Sequence, residues 1–421
     1  MLNKQKEEYK MEHKFIEDYK EFLDNNKFED EAVRTIKKMA EAEGFEMYSP
    51  IRTYYRPKEK IIYPIKNKGV ALIVMGEESG DEGANLVVSH IDSPRLDVMP
   101  GECIYEDEGV FMKTVPYGGI IYQLWLDRPL ALTGTVYDEE GKKLFINTEK
   151  DGYTFTITSL LPHLNGRKEV KEMKPDILNV RVGNNEKDNI LEFIMNKYKV
   201  PEENLAIAKL SFVPAGEMLE LGYDKELLAG YGHDDRSCAY AELRAILSEK
   251  VPEKTAIALF VSYEETGSNQ STGAISELID DMFYDIGKTR RGLRDTKVLS
   301  ADVCAAYDSQ YASHFVKESA AKAGKGIGLV PFTGLKRGSD VSAEFLYEIK
   351  TLCKDNDIDY QIDTTKASEG GGGTVAMYFA TRGMEVLDAG IPVLAMHSPQ
   401  EVIAKNDIEA AYKLYKAFFG M

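Results

Sequence analysis

Two adjacent carboxylates, Glu264 and Glu265, follow the apolar segment 255–263 and precede the turn residues Thr266 and Gly267. Side chains of consecutive residues in an extended segment point in opposite directions, so one carboxylate can bind a metal ion while the other transfers a proton. This division of roles is typical of metal-dependent hydrolases. The sequence therefore predicts Glu265 as a metal ligand and Glu264 as the general base for a metal-bound water.

Three more apolar segments end at a histidine or an aspartate, at residues 86–92, 298–302 and 393–397, and a glycine-led turn carries Asp234. Open α/β sheets bind their ligands at the carboxyl ends of the strands, where residues that are far apart in sequence converge. We therefore expect one metal-binding cluster at such an edge. Its predicted members are His90, Asp234, Glu265, Asp302 and His397.

Two imidazoles and three carboxylates suit two divalent ions of the zinc type, with Co²⁺ or Mn²⁺ as alternatives. Each ion would take one histidine and one terminal carboxylate, and a shared carboxylate would bridge ions that lie about 3.5–4 Å apart. Asp92 follows His90 by two residues. It is predicted to accept the second ring N–H of His90, which would fix the tautomer of that histidine.

The elements that would position these residues alternate between strands and helices, which predicts a mixed, mostly parallel sheet with helices on both faces. The predicted helices cover residues 6–24, 29–43, 236–248, 273–284, 341–353, 374–382 and 408–419, and one further helix, 187–198, falls in the β-rich segment described below. The predicted strands of the sheet cover residues 61–65, 69–75, 86–89, 255–263, 297–301, 359–363 and 392–395.

Domain organisation follows from length and from a change of pattern. A chain of 421 residues is too long for one ordinary core, and a hydrophobic content of 43% is enough to bury two. After residue 95 the sequence changes to short strand-like segments separated by Gly, Pro and Asn. We expect a discontinuous catalytic domain of residues 1–95 and 224–421, and an inserted β-rich domain of residues 96–223.

Charge and hydropathy exclude several classes of partner. The net charge is −18 without a basic cluster, which argues against nucleic acid and anionic membrane surfaces. No segment has the length and apolar content of a transmembrane helix, and the first 27 residues lack the apolar core of a signal peptide. A cytoplasmic location is the expectation.

Ser89–Leu96 reads S-H-I-D-S-P-R-L. Further segments follow at Tyr117–Gly119 (Y-G-G), Trp125–Arg128 (W-L-D-R), Pro162–Leu164 (P-H-L), Asp234–Asp235 (D-D), Glu264–Ser268 (E-E-T-G-S), Ser300–Asp302 (S-A-D) and Ala395–Ser398 (A-M-H-S). In this order, and over essentially the whole chain, these segments resemble the motifs of the aspartyl aminopeptidase family of metallo-aminopeptidases. The family has W-F-D-R, D-N and E-E-V-G-S at the second, fourth and fifth of these further segments, and Ser89–Leu96, which resembles its S-H-x-D-S-P-x-L element, is the most specific match.

This resemblance assigns a role to each residue of the cluster. His90 and Asp302 would hold one ion, Glu265 and His397 would hold the other, and Asp234 would bridge them, with Glu264 as base and Asp92 supporting His90. The family also implies peptide substrates with a free N-terminus, a dimerisation role for the inserted domain, and a large closed assembly such as a tetrahedral dodecamer.

The chain departs from the family pattern at three histidine positions, which carry Arg167, Ala305 and Asp308. A carboxylate at Asp308 that faces the pocket would disfavour acidic side chains. The sequence therefore predicts a neutral or basic preference, against the acidic preference that the family implies. Lys336 and Arg337 are counter-evidence, because either can pair with an acidic substrate.

The candidate substrate-binding residues include these two cations and His163 of the P-H-L segment. A run of four glycines before a predicted helix, including Gly372 and Gly373, lacks the Lys-Ser/Thr of a phosphate-binding loop. Its backbone would line a peptide pocket instead.

Two other functions are compatible with the same residues. A related dinuclear carboxypeptidase or N-acyl amino-acid deacylase would bind the carboxylate of its substrate rather than a free amine. A non-catalytic peptide-binding assembly on a hydrolase scaffold is the third possibility, because a fold alone does not fix a function.

Overall fold

The computed structural model of the chain describes residues 2–52, 54–78, 80–106, 109–161, 163–164, 174–175, 178–184, 190–332, 340–364, 366 and 373–421. The chain forms two compact units. The first comprises Met1–Asp92, Met218–Met396 and Gln400–Met421, and the second comprises Ser93–Glu217 and His397–Pro399.

The helices are α1 (Leu2–Asn25), α2 (Glu29–Ala42), α3 (Ile190–Tyr198), α4 (Glu202–Leu205), α5 (His233–Ser248), α6 (Leu278–Asp285), α7 (Arg290–Arg294), α8 (Ala343–Asp355), α9 (Ala376–Thr381) and α10 (Lys405–Phe419). The strands are β1 (Glu46–Met47), β2 (Lys60–Ile65), β3 (Gly69–Val74), β4 (Ala84–His90), β5 (Arg95–Glu106), β6 (Gly109–Tyr117), β7 (Leu130–Tyr137), β8 (Lys143–Asn147), β9 (Val180–Gly183), β10 (Lys209–Pro214), β11 (Leu219–Leu221), β12 (Leu227–Gly230), β13 (Thr255–Val261), β14 (Lys297–Ser300), β15 (Cys304–Ala305), β16 (Ile327–Val330), β17 (Tyr360–Ile362), β18 (Glu385–Gly390), β19 (Pro392–Val393) and β20 (Glu401–Ala404). Among the described helices, none has the length and apolar content that crossing a membrane requires.

The first unit contains a nine-stranded sheet with the order β1-β2-β3-β13-β4-β14-β18-β16-β17. The central strands β13, β4, β14 and β18 run parallel to one another. Antiparallel pairs join β2 to β3, β3 to β13 and β16 to β18. The predicted mixed, mostly parallel sheet is confirmed.

Apolar side chains cover both faces of this sheet. In β3, Val70, Leu72 and Val74 belong to one hydrophobic cluster, whereas Ala71 and Ile73 belong to another. This alternation follows the two-residue period of a strand. Helices α1, α2, α5, α8 and α10 contribute to the first cluster, and α6, α7 and α9 contribute to the second. The predicted placement of helices on both faces is therefore also confirmed.

The second unit is β-rich. It contains a six-stranded antiparallel sheet with the order β8-β7-β10-β5-β6-β9. A separate hydrophobic cluster includes the fully buried Trp125 and, from α3, Ile190 and Ile194. The second unit thus has a core of its own.

Several of the described elements depart from the predicted ones. The predicted strand 392–395 is the shorter β19, which pairs with β15 in a two-stranded sheet and is not part of the large sheet. The large sheet includes β16 and β18, which the predicted strands omit; each contains a glycine, Gly328 or Gly390, which weakens the strand pattern. Strand β13 ends at Val261 rather than at residue 263, because Tyr263 has a left-handed φ of 63°. The helix predicted from residue 273 begins at Leu278.

Candidate metal centre

The carboxyl ends of three neighbouring parallel strands meet at one edge of the large sheet. Strand β4 ends at His90, which pairs in register with Val261 at the end of β13. Strand β14 lies on the other side of β4 and ends two residues before Asp302. Because these strands are adjacent and parallel, His90, Asp302 and the carboxylate pair after β13 lie at the same edge.

A tight turn carries Glu264 and Glu265. The preceding residue, Tyr263, has a φ of 63°, and Gly267, which ends the short 3-10 helix Glu264–Thr266, has a φ of 93°. The Gly267 N–H donates to the Glu264 carbonyl oxygen at 2.8 Å. Left-handed residues other than glycine are uncommon and cluster at functional sites. The turn ends β13 sharply and fixes the backbone of both glutamates.

The Asp92 carboxylate supports this turn. Its Oδ1 accepts the backbone N–H of Glu264, and its Oδ2 accepts that of Glu265, both at 3.3 Å. The Asp92 Oδ1 lies 3.6 Å from Nδ1 of His90, whereas the Asp92 carbonyl oxygen lies 3.0 Å from the same nitrogen. The carbonyl group is therefore the closer partner of the imidazole, and the carboxylate positions the two glutamates.

The buried ring of His90 presents Nε2 to the candidate ligands. Nε2 lies 3.2 Å from Oδ1 of Asp234 and 3.7 Å from Oδ1 of Asp302. Burial lowers the pKa of His90, but hydrogen bonds to these carboxylates raise it to well above its usual value. When Nδ1 donates to the Asp92 carbonyl group, Nε2 is the nitrogen that can take a metal ion.

Asp234 is the second residue of α5, which follows the turn at Gly232, a residue with a φ of 81°. The backbone N–H of Asp234 donates to Oε2 of Glu401 in β20 at 2.9 Å. The next residue, Asp235, accepts the backbone N–H of His90 on Oδ2 at 3.1 Å. These two bonds tie the start of α5 to β4 and β20.

His397 follows β19 and, like Tyr263, is a non-glycine residue with a left-handed φ, here 62°. Its Nδ1 lies 2.8 Å from the carbonyl oxygen of Gly119. When Nδ1 donates to this oxygen, Nε2 is the ring nitrogen that can bind a metal ion, as in His90. A backbone carbonyl group therefore orients each of the two candidate histidine ligands.

The candidate ligand atoms form two groups, in each of which they lie within 4.8 Å of one another. The first group is His90, Glu264 and Asp302, and the second is Asp234, Glu265 and His397. Together they contain the five predicted ligands and the predicted base.

The electrostatics of the groups fit divalent cations. Burial, followed by the charge of Asp302, raises the pKa of Glu264 to about 8, and Asp92 and Asp234 act in the same direction. Carboxylates crowded in this way disfavour one another's ionised form unless a cation offsets their charge. Imidazole nitrogens and carboxylate oxygens are ligands that zinc takes readily. The side chains that are present therefore suit a divalent metal centre.

The structure gives the positions of only two of the five candidate substrate-binding residues. His163, in the second unit, and Gly373 are both exposed. Lys336, Arg337 and Gly372 lie outside the described residues. The described residues therefore do not bring these five candidates together into a substrate pocket.

The departures from the family pattern also have definite positions. Ala305 is exposed in β15. Asp308 is half-buried, and its Oδ1 accepts the backbone N–H of Gln310 at 2.8 Å, which caps the 3-10 helix Ser309–His314. The Asp308 carboxylate thus has a local structural partner. Arg167 lies outside the described residues.

Sequence reasoning missed two residues that support the site, Glu401 and Gly119. Glu401 opens the apolar segment Glu401–Ala404, and its isolated charge in a strand was a usable signal. Gly119 acts through its carbonyl oxygen. A backbone acceptor has no side-chain signature, so only its place in the Y-G-G segment marked it.

The fold is that of known aminopeptidases. A crystal structure of an M18-family aminopeptidase from Thermotoga maritima is 32% identical to this chain, with a TM-score of 0.89, and covers 97% of this chain and 96% of that chain. A structure titled as the S. cerevisiae mApe1 dodecamer shares the fold, with a TM-score of 0.80 at 17% identity over 96% of this chain and 95% of that chain.

Sequence comparison gives the family. A relative named probable M18 family aminopeptidase 1, from Borrelia garinii subsp. bavariensis, is 37% identical over an alignment of 437 positions that includes gaps; the alignment covers 96% of this chain and 95% of the relative. Residues 22–419 match the family model described as aminopeptidase I zinc metalloprotease (M18). The chain belongs to this family and is a metallo-aminopeptidase, which confirms the predicted relationship.

Proposed function

We propose that this chain hydrolyses the N-terminal residue from peptides at a dinuclear metal centre. The arrangement of two ligand groups, each with one histidine and two carboxylates, carries the proposal. Asp234 belongs to the second group, yet its Oδ1 is 3.2 Å from Nε2 of His90 in the first. A carboxylate placed next to both groups is suited to be shared by two ions.

The metal assignment follows from these neighbours and from the family motifs. His90 and Asp302 would hold one ion, Glu265 and His397 would hold the other, and Asp234 would bridge them. Zn²⁺ is the proposed ion, and Co²⁺ or Mn²⁺ suit the same ligands. Such ions polarise a scissile carbonyl group and lower the pKa of water.

Glu264 is the proposed general base. It is the carboxylate of the first group that this assignment does not use as a ligand. Its backbone N–H donates to the Asp92 carboxylate. The burial that raises the pKa of Glu264 brings this carboxylate closer to the pKa that suits proton transfer near neutral pH. Glu264 would take a proton from the attacking water and deliver it to the leaving amine.

The proposed substrate is a peptide with a free N-terminal amine and a neutral or basic first side chain. The metal groups and Asp92 concentrate carboxylates at one edge of the sheet. An acidic side chain would be repelled by any of this charge that the ions do not offset. In addition, Ala305 stands where the family pattern has a histidine, so this chain lacks an imidazole that could pair with an acidic side chain.

Hydrolysis of Asp-, Leu- and Lys-anilides by the zinc-loaded protein tests the proposal. We expect kcat/KM for the Leu and Lys substrates to exceed that for Asp by at least about tenfold, because like-charge contacts cost several kcal/mol. A chelator should abolish turnover. A strong Asp preference would contradict the proposed side-chain preference.

The matched control is N-acetyl-Leu-anilide, which lacks the free amine but keeps the side chain and the scissile bond. An aminopeptidase leaves it intact. Hydrolysis of blocked dipeptides, or release of their acyl group, would favour the carboxypeptidase or deacylase alternative. No turnover of any substrate by zinc-loaded protein would favour the peptide-binding alternative.

We also propose that the second unit mediates dimerisation and that the subunits build a dodecamer. The proposal rests on the resemblance to the family and on the related structure titled as a dodecamer. Native mass spectrometry should then find twelve subunits as the main species. A stable monomer at micromolar concentration would contradict it. A cytoplasmic location stays a prediction.

A further inference from the structure

We propose that Glu401 is a positioning residue of the metal centre, an inference that rests on the proposed dinuclear function. Glu401 is 1% exposed, and its Oε2 accepts the backbone N–H of Asp234 at 2.9 Å. Asp234 is the carboxylate proposed to bridge the ions. Glu401 therefore acts on the centre through the main chain of a ligand rather than as a ligand itself.

The strand pairing explains how Glu401 reaches this peptide group. In the antiparallel pair of β12 and β20, Glu401 lies opposite Gly230, the last residue of β12. The chain then passes through the left-handed Gly232 and enters α5 at His233, the residue before Asp234. The Glu401 side chain thus spans from β20 to the N-terminal end of α5, where the backbone N–H groups have no partner inside the helix.

A carboxylate in this position has a particular cost and a particular benefit. A buried carboxylate is unfavourable unless it is hydrogen-bonded, and the bond from the Asp234 N–H contributes to offsetting the burial of Glu401. Hydrogen bonds to ionised acceptors are shorter and stronger than neutral ones. The bond consequently restrains the main chain of Asp234, and with it the direction of the Asp234 side chain toward His90.

The position of Asp234 matters to both ligand groups. Its Oδ1 lies 3.2 Å from Nε2 of His90, and it shares the second group with Glu265 and His397. A shift of the Asp234 backbone would therefore disturb the coordination of both ions. Loss of the Glu401 bond should weaken metal binding without removing any ligand atom.

Titration of Zn²⁺ into metal-free protein, followed by calorimetry, tests this role in three variants. Glu401→Leu removes the acceptor and should weaken binding of at least one ion by about 10–100-fold, the usual effect of losing a group that orients a ligand. Glu401→Asp keeps the charge but withdraws the oxygen, and should also weaken binding. Glu401→Gln keeps an acceptor oxygen at the same distance and should lose much less.

A spectroscopic readout and a control complete the experiment. The visible spectrum of the Co²⁺-loaded protein should change in the Leu and Asp variants. Asp407→Asn is the matched control, because Asp407 is also buried and accepts backbone N–H groups, from Gly324 and Gly326 at 2.7 Å. It should lower stability but leave zinc affinity and the cobalt spectrum unchanged.

The outcomes separate this inference from the proposed function. Wild-type zinc affinity in folded Leu and Asp variants would overturn the positioning role. Should the Leu variant fail to fold, wild-type affinity in the Asp variant alone would overturn it. A wild-type protein that binds fewer than two ions would instead reject the dinuclear function on which the inference rests.

Discussion

Glu264→Gln is expected to lower kcat by about 10²–10⁴-fold, the usual contribution of a general base, while the protein keeps both metal ions. Glutamine has nearly the shape of glutamate, and its backbone N–H still donates to Asp92 as Glu264 does at 3.3 Å. The amide side chain, however, cannot take a proton from water. The variant therefore removes the proton transfer and little else.

The measurement combines steady-state kinetics on a Leu-anilide with the metal content of the dialysed protein. Both are needed, because the Glu264 carboxylate lies within the first ligand group beside His90 and Asp302. An inactive variant that has lost one ion would show that Glu264 is a ligand. Activity within tenfold of the wild type would show that another group accepts the proton.

Glu265→Gln is the matched comparison, because it makes the same chemical change at the neighbouring position of the same turn. Asp92 accepts the backbone N–H of Glu265 at the same distance of 3.3 Å. Glu265, however, lies in the second ligand group with Asp234 and His397. Its replacement should lower metal content as well as activity. The contrast between the two variants assigns base and ligand.

The part of the site that the sequence predicts is the part built from strand ends. His90 and Asp302 follow apolar strands, and β4 and β14 are neighbours with parallel registers. The carboxylate pair follows β13, the other parallel neighbour of β4. A residue at the carboxyl end of a buried strand can thus be placed from local pattern alone, since the sheet supplies the convergence.

The supporting contacts could not be predicted in the same way. The group that contacts Nδ1 of each histidine ring is a backbone carbonyl group, of Asp92 or of Gly119. Every residue has a backbone carbonyl group, so residue type does not mark these two. The Asp92 carboxylate faces the peptide groups of the turn, which depends on the left-handed conformation of Tyr263. These details follow from backbone geometry that residue types do not encode.

Prediction of the fold from the sequence has a similar limit. Strands β13 and β4 are buried along their length, and their apolar central residues made them predictable as buried strands. Strand β18 lies between β14 and β16 in the same sheet, yet it contains the buried Asp388 and ends at Gly390. A charged residue in a central strand weakens the local pattern. Its place in the sheet is set by neighbouring strands rather than by its own composition.

Asp234→Ala is expected to weaken the binding of both ions and to lower kcat/KM by at least about 10³-fold, because metal ions contribute several kcal/mol to such reactions. A terminal ligand serves one ion, whereas the proposed bridge serves two. The carboxylate of Asp234 is 3.2 Å from Nε2 of His90 and shares the second group with Glu265 and His397. Its removal would therefore take a ligand oxygen from both ions and leave the one negative charge of this residue unreplaced.

Zinc titration into metal-free protein distinguishes a bridge from a terminal ligand. Asp302→Ala should weaken mainly one binding event, whereas Asp234→Ala should weaken both. Asp235→Asn is the control, because an amide oxygen can still accept the His90 backbone N–H that Asp235 accepts at 3.1 Å. The control should retain two ions. If Asp234→Ala bound one ion with wild-type affinity, Asp234 would be a terminal ligand, and the two ions would need a different shared group.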